Sequence, residues 1–422
     1  MRGRSGAVTF DLKLNTMQRE ETASDSSRLE VYPPVHRLGV VGRWVRARLQ
    51  TEILRGTPVL VRIQGLRSPW RNAVMQASSF LGEEEFYMLL VALVVWIVDA
   101  KLGRLMVQLM GICFYVTGFL KNTLCLPRPP SPPVTPLQRC QDWGLPSHHA
   151  VLNTNIPWFL WFYLDHHFSL SLPTKISVFV GIGLWSVSVM FSRMYLGVHS
   201  PADILTGGVV GCILLAGWLR AYERVDDYLS SSPSLLSLLG IVCIVVLLLS
   251  LHPDPYPVTI VFAETVCMTG VAVGFVVGQV LLTPPTGGRG LLEEAGQYSS
   301  LLTAVWCGLL RFLVGLVALV MLKALAERGA KILLQAVAHV AGVTTVCIKR
   351  KSEVSSERVH YSAKFVALNE SKTGSEWNQN KLTWVWDRGP INLDIPVKFT
   401  SYTCMGVVAV AICPALFSLI NI

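Results

Sequence analysis

The sequence Ser192-Arg193-Met194-Tyr195-Leu196-Gly197-Val198-His199-Ser200-Pro201-Ala202-Asp203 closes the stretch around which this chain is organised. Two polar pieces precede it, Lys121-Asn122-Thr123-Leu124-Cys125-Leu126-Pro127-Arg128-Pro129 and Pro146-Ser147-His148-His149. Each of the three pieces lies where an apolar run begins or ends. Nearly every residue from which chemistry can be built therefore falls between Lys121 and Asp203.

Composition indicates a membrane protein. Of the 422 residues, 52% are hydrophobic and 15% are charged, whereas a soluble domain has roughly 25% charged residues. The polar N-terminus lacks the apolar core of a cleavable signal peptide, so we expect an internal span to direct the chain to a membrane. Apolar runs recur at about 86–98, 102–120, 151–172, 176–191, 202–219, 235–251, 258–282, 300–322, 332–348 and 401–420. Because a spanning helix needs roughly 20 residues, these runs predict an all-α, polytopic transmembrane helical bundle of about eight to ten spans.

The apolar runs and the polar segments between them predict five regions. They are a basic arm with an interfacial segment at 1–82, a membrane core with the motif pieces at 83–222, further transmembrane helices at 223–348, a polar loop or small subdomain at 349–399, and a C-terminal transmembrane helix at 400–422. Residues 1–57 read as loosely ordered, and the mixture of apolar and basic positions at 59–82 predicts an interfacial helix. Glu264 and Arg311 lie inside apolar runs, where charge is costly. They form either a structural pair or part of a polar path for a substrate.

The charge and the cysteines exclude two classes of function. The net charge of +9 is explained by Lys- and Arg-rich cytosolic loops, and no soluble basic domain with interleaved aromatic residues is present for nucleic acid. The ten cysteines include no CxxC pair, so we expect neither a zinc nor a redox site. Cys125 and Cys140 flank the loop after the first piece, and an oxidising lumen would allow them to form a disulfide.

The three motif pieces are predicted to face the same side of the membrane. If the run 102–120 ends on one face, the first piece follows on that face, and the second piece opens the next span from it. That span crosses, the short turn at Leu172–Lys175 reverses the chain, and the next run returns to the first face at Ser192. This holds whichever compartment that face adjoins.

Three cationic side chains, Lys121, Arg128 and Arg193, are thereby placed beside two histidines and a carboxylate. Arginine matches phosphate oxygens with a planar fork, and lysine adds a compact charge. One such cation alone is typical of a membrane edge, where it reaches lipid headgroups. Three of them next to His149 and His199 favour a phosphate site.

Two predicted helix starts add to this site, and each has a plainer interpretation. Ser147 precedes a helix whose free N–H groups can bind an anion, or it is only a cap. Asp203 follows His199 by four residues and can orient its imidazole, as in activated nucleophiles. Ser200-Pro201-Ala202-Asp203 is equally a capping sequence with proline at the first helical position. The residues alone leave these alternatives open.

The patterns K-x6-R-P, P-S-x-H and S-R-x5-H-x3-D resemble the three-part signature of the type-2 phosphatidic acid phosphatase superfamily. That group includes lipid phosphate phosphatases, glucose-6-phosphatase and vanadium haloperoxidases. The resemblance covers residues 121–203. It implies a membrane core of that superfamily and hydrolysis of a phosphate ester with no metal and no cofactor, because the protein itself supplies the cations.

The resemblance also implies a role for each motif residue. The phosphate would be held by Lys121, Arg128, Ser147, His148 (through its backbone N–H) and Arg193. His199 is similar to the family's nucleophile, which forms a phosphohistidine, and Asp203 to the residue that orients it. His149 is similar to the general acid that protonates the leaving alcohol. Electrostatic stabilisation of the transferring phosphoryl group is then the main physical contribution to catalysis.

One departure from the family pattern points to a substrate class. The third position of the second piece is usually glycine and here is His148; sphingoid-base phosphate phosphatases also replace that glycine. The sequence Gly82-Glu83-Glu84-Glu85-Phe86-Tyr87 and the extra spans after Asp203 are similar to that subgroup. Within it, the chain resembles the plant lipid phosphate phosphatases of the delta type. We therefore expect a sphingosine-1-phosphate or long-chain-base phosphate phosphatase of sphingolipid metabolism, with membrane lipids around it. The alternatives are a phosphatase for phosphatidate or an isoprenoid diphosphate, and a non-catalytic phosphate-binding transporter.

Membrane orientation is where the sequence signals conflict. The arginine-rich arm predicts a cytosolic N-terminus, and two spans would then return the motifs to the cytosol. The resemblance instead implies an endoplasmic reticulum protein with a lumenal site, and we follow it. Either residues 59–82 include another crossing, or the arm misleads. Glycosylation of the sequon Asn369-Glu370-Ser371 would place the far segment in the lumen. The sequence does not specify an oligomeric state.

Overall fold

The fold is a bundle of α-helices. The computed structural model describes residues 38–138, 140, 142–231, 233–253, 260–282, 301–341, 345–346 and 391–420. Its helices are α1 (Val40–Gln64), α2 (Pro69–Phe80), α3 (Glu84–Leu93), α4 (Ala100–Leu124), α5 (His148–His167), α6 (Leu172–Tyr195), α7 (Pro201–Ser230), α8 (Leu235–Ser250), α9 (Val261–Leu282), α10 (Leu301–Val340), α11 (Asp394–Val407) and α12 (Cys413–Leu419). Short π-helical turns at Val94–Val98 and Val408–Ile412 extend α3 and join α11 to α12. Two-residue strands, β1 (Thr345–Val346) and β2 (Ile391–Asn392), pair in parallel.

Six helical segments in the described part of the chain are long and apolar enough to cross a membrane: Ala100–Leu124, Leu172–Tyr195, Pro201–Ser230, Val261–Leu282, Leu302–Val340 and Asp394–Leu419. The predicted all-α polytopic membrane bundle is therefore confirmed. The count is smaller than the expected eight to ten partly because the run 235–251 forms a helix of only 16 residues. The run 86–98 likewise forms a short helix with a π turn, which ends at Asp99.

Helix α5 lies at the centre of the bundle. Its residues from Ala150 to Pro157 are all buried, and its apolar side chains join those of α4 and α7 in the main core. Helix α5 also buries amide side chains, which need partners inside the protein. Asn153 Nδ2 donates to Ser186 O at 2.9 Å, and Tyr87 Oη donates to Asn153 Oδ1 at 3.2 Å. Helix α5 is surrounded by other helices over this stretch, so it does not need a polar face towards water.

The N-terminal region is more ordered than the sequence predicts. Residues 40–57, expected to be loosely ordered, belong to α1, and the expected interfacial helix at 59–82 is divided between α1 and α2 at Gly65–Ser68. Long-range contacts provide the reason. Arg46 Nε donates to Leu124 O at 2.8 Å and its Nη2 to Cys125 O at 3.1 Å, which docks α1 on the end of α4.

The prediction of two spans at 300–322 and 332–348 is wrong, because α10 is one helix from Leu301 to Val340. The residues that join the two runs, Lys323 to Lys331, are strong helix formers except for Gly329. Charge alone does not end a helix. Residues 1–37 and 347–390 lie outside the described residues, and so do the sequon at Asn369 and most of the predicted subdomain at 349–399.

Helices α9 and α11 approach each other closely enough for their backbones to touch. A Cβ atom added at Gly274 would collide with Thr403 O and lie 2.9 Å from the Cα atom of Gly406. A Cβ added at Gly406 would in turn lie 2.9 Å from the Cα atom of Gly274. Small residues at such a crossing allow dispersion contacts that larger side chains would prevent.

Candidate active site

Four helix ends meet at one end of the bundle and bring the three motif pieces together. They are the C-terminal ends of α4 and α6 and the N-terminal ends of α5 and α7. Backbone hydrogen bonds join the pieces: Ser147 N donates to Asp203 O at 3.1 Å, and Gly144 N donates to Leu126 O at 2.9 Å. The predicted placement of all three pieces on one side agrees with this arrangement.

Lys121 and Arg128 share one carboxylate, that of Asp142. Lys121 Nζ lies 2.5 Å from Asp142 Oδ2, and Arg128 Nη2 lies 2.6 Å from Asp142 Oδ1. Burial tends to raise the pKa of Asp142, but the two cations outweigh it and hold that pKa well below its usual range. The side chain of Lys121 is only 2% exposed. One carboxylate thus balances a buried lysine and a partly buried arginine.

His199 lies between Arg128 and Asp203. Its Nε2 is 3.4 Å from Arg128 Nη1, and its Nδ1 is 3.5 Å from Asp203 Oδ2. The second distance exceeds the usual hydrogen-bond range of about 2.7–3.2 Å, and catalytic contacts of this kind often tighten when substrate binds. Burial first, and then Arg128 and Arg193, lower the pKa of His199 well below its usual value. These surroundings favour the neutral imidazole, which has a lone pair available.

Both interpretations of Asp203 have geometric support. The start of α7 has a complete capping box, in which Asp203 N donates to Ser200 Oγ at 3.1 Å and Ser200 N donates to Asp203 Oδ2 at 2.7 Å. The same Oδ2 atom faces His199. The cap thus holds the carboxylate in a fixed position beside the imidazole.

Ser147 is at the N-cap position of α5 but does not cap it. Its side chain makes no capping hydrogen bond, and within the described part of the chain its buried Oγ has no hydrogen-bond partner. The next residue, His148, packs its ring against Phe114 with 4.0 Å between the ring centroids. Its side chain is therefore engaged in packing, which leaves its backbone N–H as the group able to contact an anion.

Arg193 and His149 meet at a second carboxylate, that of Glu83. Glu83 Oε1 lies 3.3 Å from Arg193 Nη1, and Glu83 Oε2 lies 3.1 Å from His149 Nε2. Arg193 Nη1 also donates to Ser79 Oγ at 2.5 Å and to Gln138 Oε1 at 2.9 Å. Burial tends to raise the pKa of Glu83, but His149 and Arg193 outweigh it, so that pKa lies below its usual value.

Sequence reasoning missed Asp142 and Glu83 as members of the site. Asp142 is a single acidic residue in a proline-rich loop, and Glu83 is the first of three adjacent glutamates at the start of α3. Glu264 also lies on this side of the bundle, because it interacts electrostatically with Asp142 and Lys121. Arg311 lies with its guanidinium carbon 5.9 Å from the ring centroid of Phe417. Cys125 and Cys140 do not form a disulfide, and Cys125 Sγ donates to Asn122 O at 3.2 Å.

Comparison with known proteins defines the class of this site. Residues 103–227 match the PAP2 superfamily, and this range contains every residue of the three motif pieces. The chain is therefore a membrane phosphatase with a PAP2 superfamily domain, as the motifs predict.

More extended similarity is found to individual members. The chain is 27% identical over 383 residues to lipid phosphate phosphatase delta of Arabidopsis thaliana, covering 88% of each chain. It is 28% identical to a probable sphingosine-1-phosphate phosphatase of Dictyostelium discoideum, covering 62% of this chain and 67% of that one. It is 25% identical to sphingosine-1-phosphate phosphatase 2 of Mus musculus, covering 80% of this chain and 85% of that one.

Proposed function

We propose that this protein hydrolyses the phosphomonoester of sphingoid long-chain-base 1-phosphates through a phosphohistidine intermediate. The observation that carries the proposal is the position of a buried His199 with its Nε2 3.4 Å from Arg128 Nη1. A nucleophilic nitrogen lies there against a cation that can bind phosphoryl oxygens. The names of the relatives from Dictyostelium and mouse support the sphingoid substrate.

The reaction begins with phosphate binding in the clamp. Lys121, Arg128 and Arg193 neutralise the phosphoryl oxygens, and burial of Lys121 and Arg193 strengthens their attraction for a phosphate. The phosphate competes with Asp142 for the first two cations, since both of its carboxylate oxygens are engaged there. Ser147 Oγ and the N–H of His148 supply neutral donors at the start of α5.

Transfer then proceeds in two steps that share one acid–base group. His199 Nε2 attacks phosphorus, the bond to the alkoxide oxygen breaks, and protonated His149 gives its proton to that oxygen, which releases the long-chain base. Asp203 stabilises the charge on the His199 ring. Water then attacks the phosphohistidine and gives its proton to His149, which releases phosphate and regenerates both histidines. We place the protein in the endoplasmic reticulum membrane, with the site facing the lumen.

The test is phosphate release by membranes that contain wild-type protein or His199→Ala. The substrates are a long-chain-base 1-phosphate, phosphatidate, an isoprenoid diphosphate and glucose 6-phosphate, with EDTA throughout. We expect the highest activity on the sphingoid phosphate and a loss of roughly 1000-fold or more in His199→Ala. The matched control is His166→Ala, at the opposite end of α5 with 68% of its side chain exposed, which should retain activity.

Each outcome decides a separate part of the proposal. Highest activity on another substrate would keep the mechanism and overturn the sphingoid assignment. Full activity in His199→Ala would overturn the phosphohistidine. Failure of wild-type protein to release phosphate from all four substrates would leave binding or transport as the function of the site.

A further inference from the structure

Glu83 is placed at the site by the turn before α3. It occupies the N-cap position of that helix, where a side chain can accept a hydrogen bond from the first helical turn, yet it makes no such bond. The preceding residue, Gly82, explains how close this turn comes to His149. A Cβ added at Gly82 would lie 2.5 Å from Val189 Cγ1 and 3.1 Å from His149 Cδ2. Glycine therefore avoids a clash with Val189 where this turn passes close to the imidazole. Glu83 is the next residue, which brings its carboxylate to His149.

The two oxygens of Glu83 have different partners, and only one of these depends on Glu83. Arg193 Nη1 is already held by Ser79 and Gln138, at shorter distances than its 3.3 Å separation from Glu83. The contact of Glu83 Oε2 with His149 Nε2, at 3.1 Å, has no such substitute, because among the described residues no other group is hydrogen-bonded to His149 Nε2. The contribution that Glu83 alone makes is therefore to His149.

The charges around His149 show why a carboxylate is needed. A general acid must carry a second ring proton, but burial first, and then the charges of Arg193 and Lys121, act against that positive form and lower the pKa of His149 to about 4. The carboxylate of Glu83, 33% exposed at the edge of the site, has the opposite effect. Because Glu83 faces Nε2, the other ring nitrogen, Nδ1, is left to give its proton to the leaving oxygen.

We propose that Glu83 is a positioning residue that orients His149 and favours its protonated form, with Nδ1 directed at the leaving group. This inference rests on the proposed function, in which His149 is the general acid. When P–O bond cleavage leaves an electron pair on the alkoxide, the Nδ1 proton moves to that oxygen. His149 becomes neutral and keeps its Nε2 proton towards Glu83. Water returns a proton to Nδ1 in the second step, so Glu83 itself never gains or loses one.

The test compares leaving groups. An alkyl phosphate, the long-chain-base 1-phosphate, leaves as a poor alkoxide and needs the acid, whereas a 4-nitrophenyl phosphate leaves as a stable phenolate and does not. We expect Glu83→Gln to lower kcat on the alkyl phosphate roughly 30- to 100-fold and on the aryl phosphate less than about threefold. The basic limb of the pH profile for the alkyl phosphate should move to lower pH, because the imidazolium has lost its counter-charge.

Two further variants make the comparison specific. Glu85→Gln removes an equal charge from an exposed position two residues away and should match wild type on both substrates. Glu83→Asp keeps the charge but is shorter by one methylene, so it should show the same selective defect, and it serves as the test variant if Glu83→Gln does not fold. His199→Ala should lose activity on both substrates.

The possible results separate this inference from the proposed function. Equal losses on both substrates, or a change in KM alone, would show that Glu83 serves the phosphate clamp and would overturn the inference. Wild-type behaviour of Glu83→Gln would do the same. Activity of His199→Ala on both substrates would overturn the proposed function itself, whatever the Glu83 variants do.

Discussion

Helices α5 and α7 both begin at the site with a serine at the N-cap, but only one serine caps its helix. Ser200 accepts a hydrogen bond from Asp203 N, and Asp203 returns one to Ser200 N. Ser147 has a buried Oγ with no partner in the described part of the chain. The two starts lie together, since Ser147 N donates to Asp203 O at 3.1 Å. The start of α7 is closed, because its own side chains cap it. The start of α5 is open, because Ser147 Oγ caps nothing and could contact an anion. A serine before a helix therefore does not by itself distinguish a cap from a binding group.

The largest effect is expected at the closed start of α7. Asp203 has two roles there, since it caps the helix and faces His199, and a substitution can separate them. Asp203→Asn keeps a side chain able to accept from Ser200 N but removes the charge facing His199. We expect kcat to fall roughly 100- to 10,000-fold, as when the carboxylate behind a catalytic histidine is neutralised. Phosphate release from the long-chain-base 1-phosphate measures it.

The control for this variant is Ser200→Ala, which removes the other half of the capping box. It should cost about 1 kcal/mol in the free energy of unfolding and change kcat by no more than about threefold. Equal losses of activity in the two variants would mean that Asp203 acts only as a cap.

A smaller effect is expected when the two helix starts are forced apart. A Cβ added at Gly207 would lie 2.7 Å from Ser147 O and 2.8 Å from Ala150 Cβ. Gly207→Ala should therefore destabilise the protein by roughly 1–3 kcal/mol through overpacking, measured by thermal unfolding in detergent.

The neighbouring Gly208 offers a matched control, because a Cβ there would meet no atom within 4 Å. Gly208→Ala should stabilise the helix by roughly 0.5–1 kcal/mol. If Gly207→Ala were as stable as Gly208→Ala, the close contact between the two helix starts would be refuted.

The smallest effect is expected at the open start. Ser147→Ala removes a hydroxyl that caps nothing, so the free energy of unfolding should change by no more than about 0.5 kcal/mol. Activity should fall roughly tenfold, because one neutral donor to the phosphate is lost while the three cations remain. Steady-state kinetics and thermal unfolding on the same preparation check both. A large loss of stability with unchanged kinetics would make Ser147 a structural residue like Ser200.

Local signals predicted the positions of the motif residues, and long-range contacts account for what was missed. The apolar runs and their parity sufficed to place Lys121, His149 and His199 on one side of the bundle. Asp142 could not be identified because its role depends on how the loop after α4 folds back onto Lys121. The sequence of this loop does not show that it folds back onto Lys121.

Glu83 was hidden for a different reason. The sequence of three adjacent glutamates does not show which of them reaches the site, and only the contact of Glu83 with His149 distinguishes one of them. The predicted boundary between two spans was also wrong at α10, because helix-forming residues continue through the charged segment that joins the two apolar runs. The position of Glu83 depends on packing, and the length of α10 depends on an unbroken helical backbone. The periodicity of apolar residues predicts neither.

The close contact between Gly274 and Gly406 has a consequence for biosynthesis. Helix α9 leaves the ribosome long before α11, and until α11 arrives its glycine face has no partner to fill it. No residue with a side chain fits at Gly274 or Gly406, because the backbones of the two helices are in contact there. Until α11 is made, this face of α9 therefore lacks the helix that covers it in the folded protein. A chain released before residue 394 would lack that helix.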